Sequence, residues 1–166
     1  MTAQESLKAR RDGALDALVR SVPYIQFLGV TFDRRGDELT ATLSYNARLI
    51  GNPVLPALHG GVTAGFLEIT ALVELAWHCT RAALEDGRPQ AEDIAAGGAF
   101  HIPKTIDLTV DYLRPCRPQD CYARAQINRS GRRYASVHVE AWQDNRTRLF
   151  AQATGHFLMP PRPPDG

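Results

Sequence analysis

Two glycines, a histidine and a lone carboxylate carry the chemistry that the residue types and spacing of this chain allow. His59-Gly60-Gly61 stands at the head of an apolar run, and Glu68 follows seven residues after the second glycine. If the run is helical, its first turn presents backbone N–H groups without intrahelical partners, at the positive end of the helix dipole. Such an end stabilises a carbonyl oxygen as it becomes an oxyanion, and one well-aimed donor is typically worth ~3 kcal/mol. Glycine at 60 and 61 keeps side chains out of the way of whatever lies there. Glu68 sits two turns further in, with Ala64, Gly65, Ala71 and Leu72 as its i−4, i−3, i+3 and i+4 neighbours. None of these can neutralise it, so its burial is costly unless it faces a pocket or a charged partner on another subunit. A carboxylate facing a pocket there suits the role of general base or nucleophile.

The other polar residues read more plainly. Glu74 lies four residues before His78, the spacing of a helix-surface pair. His59, flanking the glycines, orients the turn more readily than it does chemistry. His101, His138 and His156 read as surface or satisfied strand residues, and Asp107 and Asp111 fall on the polar face of a strand. The five histidines show no HExxH-type spacing, and the three cysteines (Cys79, Cys116, Cys121) include no CxxC pair, so no metal site is expected.

The element that must position these groups is the apolar run itself. Residues 58–84 are hydrophobic or small on nearly every side, which predicts a long helix buried all round. Glu68 and Glu74 interrupt any apolar stretch of ~18 residues, which argues against a membrane span. Before it, residues 1–22 form an N-terminal amphipathic helix with Leu7, Leu15, Leu18 and Val22 on one side and Arg10, Arg11 and Asp16 off it, ended by Pro23. Residues 25–32 read as a strand, hairpinned through Arg34-Arg35-Gly36-Asp37 to a second strand carrying Leu39, Ala41, Leu43 and Tyr45. Residues 46–58, with Gly51, Pro53 and Pro56, form a stiff loop into the helix.

After the helix, residues 85–103 are a long connection, a lid or a disordered segment. Four strands follow. Residues 104–113 alternate strictly, with Ile106, Leu108, Val110 and Tyr112 opposite Thr105, Asp107, Thr109 and Asp111. The next two carry Ala123, Ala125, Ile127 and Ala135, Val137, Val139, Ala141 on their inward faces, and the last aligns Leu149, Ala151, Ala153 and Gly155. Small inward residues suit a sheet curled closely around a helix. The fold class is therefore α+β, an antiparallel sheet wrapped around one long central helix, in a domain spanning 23–159 with a disordered tail at 160–166.

Composition sets the bounds. The chain has 166 residues, enough for one core, and a net charge of +1 that gives no pull toward nucleic acid or an anionic membrane. Its first residues are charged and lack the apolar stretch of a signal peptide, and the odd cysteine count fits a reducing cytoplasm.

The order strand, strand, loop, HGG-helix, four strands is similar to the hotdog fold. More narrowly, LHGGVTAGFLE, then TIDLTVDYLRP, then SGRRYASVHVEAW resemble the acyl-CoA thioesterases of the phenylacetic-acid-degradation (PaaI-like) branch, over residues 25–159. The resemblance implies that the Gly60 N–H polarises the thioester carbonyl and that Glu68 serves as base or nucleophile. It implies that Asn52 helps to place the water or the carbonyl, and that the Thr105 hydroxyl reaches a site built between two subunits. Asn52 stands one residue further from the histidine than in the branch, and Thr105 replaces a serine found in some members. Gly61 would lie beside the substrate. Arg129, Arg132 and Arg133 cluster at one turn, where they form either a solvated corner or a clamp for coenzyme A phosphates.

The expected activity is hydrolysis of acyl-CoA to free acid and coenzyme A, with no cofactor beyond the coenzyme A of the substrate. The alternatives are an acyl-thioester hydratase or dehydratase, which would want a His/acid pair at the helix start, and a non-catalytic acyl-CoA-binding module. Phe66, Val62 and Tyr112 as tunnel residues admit aromatic or medium aliphatic acyl groups. Open sheet edges and a one-sided site lead to the expectation of a homodimer, paired further into a homotetramer.

Overall fold

The apolar run forms helix α3, Gly60–Glu85, and the rest of the chain is laid around it. A computed structural model describes residues 3–86 and 100–161. Most of the expected lid at 85–103, and the tail beyond 161, lie outside the described residues. Helix α3 is long and apolar enough to cross a bilayer on length and composition alone, so Glu68 and Glu74 do not exclude a span as the sequence suggested. Its apolar surface is used otherwise: Phe66, Leu67, Leu75 and Trp77 are fully buried inside the domain.

Two helices precede the sheet, α1 (Ala3–Ser21) and α2 (Pro23–Leu28). α1 packs on α3 through Ala14, Leu15 and Leu18. Arg11, expected off the apolar face, turns inward, pairing with Glu85 at the end of α3 and reaching Asp37 at 3.8 Å. α2 is a correction, since residues 25–32 read as a strand. Proline at the first helical position presets φ, and Gly29 closes the turn at φ +71°, a left-handed cap that glycine adopts without strain. A short apolar run cannot be assigned to strand or helix by periodicity alone.

The strands are β1 (Val30–Arg35), β2 (Glu38–Leu43), β3 (Ile50–Asn52), β4 (Ala57–Leu58), β5 (Lys104–Tyr112), β6 (Cys121–Ser130), β7 (Tyr134–Trp142) and β8 (Ala151–Leu158). Six form one antiparallel sheet in the order β1-β2-β6-β7-β8-β5, while β3 and β4 make a separate two-stranded flap. The small inward faces are as expected, with Ala123, Ala135, Ala141, Ala151 and Ala153 at or near zero exposure against α3. Leu149 does not join that face, since Phe150 takes the buried place before β8. At Gly155 a Cβ would sit 2.8 Å from the Phe157 ring and 3.0 Å from Leu108, so the ring fills the space a larger residue would need. β1 and β5 are the open edges.

Candidate active site

The mouth of α3 is set by the flap. His59 N–H donates to Leu49 O at 2.8 Å, and Leu58 N–H donates to Cys116 O at 2.9 Å, so the chain enters the helix at a fixed angle. Gly51 permits this approach: a Cβ there would lie 2.6 Å from the Cα of His59. His59 is extended and caps the helix. Its carbonyl accepts from the N–H groups of Val62 and Thr63 at 3.0 and 3.1 Å, and its Nδ1 accepts from Gly61 N–H at 2.9 Å. Three first-turn donors are thereby engaged. Among the described residues, the Gly60 N–H alone of that turn meets no acceptor. The His59 ring thus accepts at Nδ1 as a cap, which fits the orienting role expected of it. The Tyr112 hydroxyl donates to Gly60 O at 2.9 Å and so holds the carbonyl side of the Gly60–Gly61 peptide, whose N–H is held by His59. Sequence reasoning had placed Tyr112 only as an apolar wall.

Glu68 is half-buried, and the Thr105 hydroxyl donates to its Oε1 at 2.6 Å. Strict alternation along β5 had put Thr105 opposite Leu108. The register with β8 shows why it is not: Thr105 pairs with Phe157 and Asp107 with His156, leaving Ile106 as an extra residue. This β-bulge turns Thr105 to the helix face, alongside Leu108, and throws Ile106 outward at 56% exposure.

The two halves of the expected chemistry are separated along the helix. Eight residues at 1.5 Å rise put Gly60 and Glu68 about 12 Å apart on the axis. A cavity of about 380 Å³ opens at the Gly60 end, lined by Leu58, Gly60, Thr63, Tyr112, Arg114 and Phe150 among others, and Glu68 is not part of its wall. Asn52 is at the flap turn, where its Oδ1 accepts from the N–H groups of Val54 and Leu55 at 3.0 and 3.1 Å. Arg129, Arg132 and Arg133 are exposed around the β6–β7 turn and make no ion pair among the described residues. None of the four arginine or asparagine side chains reaches Glu68 or the Gly60 N–H within one protomer.

Glu74 differs from expectation. No hydrogen bond or ion pair with His78 is made among the described residues; burial raises its pKa from 4.5 to about 7, with the positive charge of Arg81 opposing the rise. Arg81 itself binds Asp37 at 2.7 Å. His156 bonds Asp107 at 2.8 Å and stacks on Tyr134, while His138 lies 3.4 Å from Thr154, so both are satisfied strand residues as expected.

Residues 55–150, which hold the flap end, α3, the Glu68–Thr105 pair and most of the sheet, match the family model described as the thioesterase superfamily. The chain belongs to the thioesterase superfamily. Among its relatives, the medium/long-chain acyl-CoA thioesterase YigI of Salmonella typhimurium is 29% identical over 161 residues, covering 96% of this chain and 97% of the relative. The YigI of Escherichia coli K12 is 29% identical over the same shares. A solved structure from Chromobacterium violaceum is 32% identical, with a TM-score of 0.62 over 94% of this chain and 97% of that one. The PaaI protein of the E. coli phenylacetic acid degradation operon is 16% identical with a TM-score of 0.65, covering 92% and 95%, a likeness of fold. The hotdog architecture and the thioesterase reading of the chain are both borne out.

Proposed function

We propose that this thioesterase hydrolyses medium- to long-chain acyl-CoA by general-base attack of water, in a site shared between two copies of the chain. The observation that carries the reading is the unengaged Gly60 N–H beside three satisfied donors: the cap leaves one donor aimed out of the helix end, where a thioester oxygen can accept from it. The YigI relatives, matched over nearly the whole chain, support the acyl-CoA substrate. Cys79, Cys116 and Cys121 form no disulfide among the described residues, which is consistent with a cytoplasmic setting.

The step runs as follows. Glu68, oriented by the Thr105 hydroxyl, takes a proton from water as the water oxygen bonds to the thioester carbon. Negative charge moves to the carbonyl oxygen at the Gly60 N–H. Collapse restores the carbonyl and breaks the C–S bond, and the thiolate of coenzyme A takes up the proton that Glu68 held. The products are a free acid and coenzyme A, and the base is regenerated.

About 12 Å along one helix is a long span for a single carbonyl to bridge. Pairing two chains so that Gly60 of one faces Glu68 of the other removes it. The exposed edge strand β5 supports that assembly, since it carries Ile106 and Tyr112 more than half exposed, with Leu113 following. In such a dimer Asn52 and the β6–β7 arginines of one copy can approach the site of the other, the arginines toward the phosphates of coenzyme A. Thiol release from a panel of acyl-CoAs is the test. Glu68→Gln should lower kcat about 10²–10⁴-fold while acyl-CoA still binds. An unchanged kcat overturns the mechanism.

A further inference from the structure

The stripe of α3 that carries Glu68 does not end at the carboxylate. Leu72 is its i+4 neighbour, so an acyl chain leaving the thioester next to Glu68 meets that side chain first, and Ile69, three residues before Leu72, adjoins it on the next face. Ile69, Leu72 and Val73 form one wall of a narrow apolar cavity of about 30 Å³, with Ala76 one turn deeper and Ile102 at the side. The facing wall is not part of the sheet. It is Leu18 from the end of α1, Val22 between the two helices and Ile25 from α2. α2 meets α3 beside the carboxylate: the Tyr24 hydroxyl lies 2.9 Å from where a Cβ on Gly65 would be, and Gly65 is three residues before Glu68. Tyr24 is 46% exposed, at the rim.

We infer that the acyl tail of the substrate runs from Glu68 down this stripe into the seam between α3 and the α1–α2 pair, making the N-terminal helices the gauge of chain length. The inference rests on the acyl-CoA reading above and adds where the aliphatic tail lies. Three features favour an aliphatic occupant. Every described lining residue is apolar, so these walls offer nothing to a polar group. The cavity is small, about 30 Å³, which leaves no room for a broad ring system. The seam is also built to part at one end only. Arg11 pairs with Glu85, and Arg34, 6% exposed, pairs with Asp12, so the first half of α1 is tied down. Beyond Asp16 and Arg20, which pair within α1, the half of α1 that carries Leu18, and Val22 just after it, meet α3 through apolar contacts among the described residues. An incoming chain can replace those contacts with equivalent ones of its own.

Val22 is half-buried at the seam, so it tolerates change of size better than Leu18. Val22→Phe narrows the seam and Val22→Ala widens it. Hydrolysis of butanoyl-, octanoyl-, dodecanoyl- and hexadecanoyl-CoA is compared for both variants and the unaltered protein, alongside calorimetric binding of butyl- and dodecyl-CoA thioethers, which cannot be hydrolysed. Val22→Phe should lower the ratio of kcat/KM for dodecanoyl- over butanoyl-CoA by about tenfold or more, the effect of a methylene-sized misfit in an apolar pocket. It should weaken dodecyl-CoA binding relative to butyl-CoA by a similar factor, and Val22→Ala should move the preferred length upward. Chain-length ratios that stay parallel to the unaltered protein's in both variants, with hydrolysis intact, overturn the inference and leave the thioesterase reading standing. Length-dependent binding altered by Val22→Phe in a protein that hydrolyses none of the panel would do the reverse.

Discussion

Replacing Glu74 by glutamine should stabilise this protein at alkaline pH and leave it nearly unchanged at acid pH. Glu74 lies on α3 between Ala71 and Trp77, in the half of the helix covered by α1. Burial raises its pKa from the ordinary 4.5 to about 7, against the opposing charge of Arg81. In the unfolded chain the carboxyl ionises near 4.5; in the folded protein it holds its proton until about 7. Folding stability is therefore unaffected by this group below about pH 4.5, falls as pH rises from there to about 7, and is flat beyond. At about 1.4 kcal/mol per tenfold change in proton affinity, the rise corresponds to roughly 3 kcal/mol. Glu74 keeps some access to solvent, and screening reduces that to about 1.5–3 kcal/mol.

Glutamine has the same shape and no charge, so it removes the penalty without opening a cavity. Urea denaturation at pH 4, 5, 6, 7 and 8, at one protein concentration so that assembly contributes equally, should show the variant and the parent nearly together at pH 4. They should separate by about 1.5–3 kcal/mol at pH 8, which is a Tm difference of roughly 3–12 °C for a domain of this size. A constant offset across the series, or a variant less stable than the parent at pH 8, would refute the reasoning. Either result would mean that Arg81, already bound to Asp37, compensates Glu74 in full.

Three further outcomes follow from the site. Thr105→Ala removes the 2.6 Å hydrogen bond to Glu68 and should lower kcat about 10–100-fold with little change in KM, as loss of a hydrogen bond to a charged group does, while Thr105→Ser restores most of it; equal kcat in all three proteins would contradict the orienting role. Gly51→Ala forces a Cβ against the His59 backbone and should cost about 1–3 kcal/mol in denaturation and depress kcat, because the cap that isolates the Gly60 N–H moves with His59. Ile106→Arg puts a charge on the β5 edge and should shift the light-scattering mass toward a monomer with parallel loss of turnover; a fully active monomer would remove the shared site.

The architecture was legible because it is written in long, repeated patterns. α3 declares itself by an apolar surface on all sides, and the curl of the sheet by alanine, valine and glycine at alternate positions of β6, β7 and β8. Local signals were less decisive where two readings use the same residues. Pro23-Tyr-Ile-Gln-Phe-Leu has the composition of a strand, and only the pairing of proline at its head with glycine at its foot marks it as one and a half turns of helix. Arg11 was assigned to solvent because charge usually goes there; that it folds inward depends on Asp37 and Glu85, far away in sequence.

The site shows the same division most sharply at Thr105. Spacing alone singled out Gly60 and Glu68 as candidates, because helix geometry makes the first turn a donor and places a residue eight positions on within the same element. No spacing rule could bring Thr105 to Glu68. By alternation it faces away from Leu108, and a single surplus residue, Ile106, reverses that face. A bulge has no fixed sequence signature, since it is defined by two strands together: β5 carries one residue more than the stretch of β8 it pairs with. The same insertion does two things at once. It delivers a hydroxyl to the carboxylate, and it pushes an isoleucine out of the sheet edge toward the place where a second copy would sit. If the dimer forms there, catalysis and assembly share one irregularity, and a variant that deletes Ile106 should lose both, whereas Thr105→Ala should lose only the first.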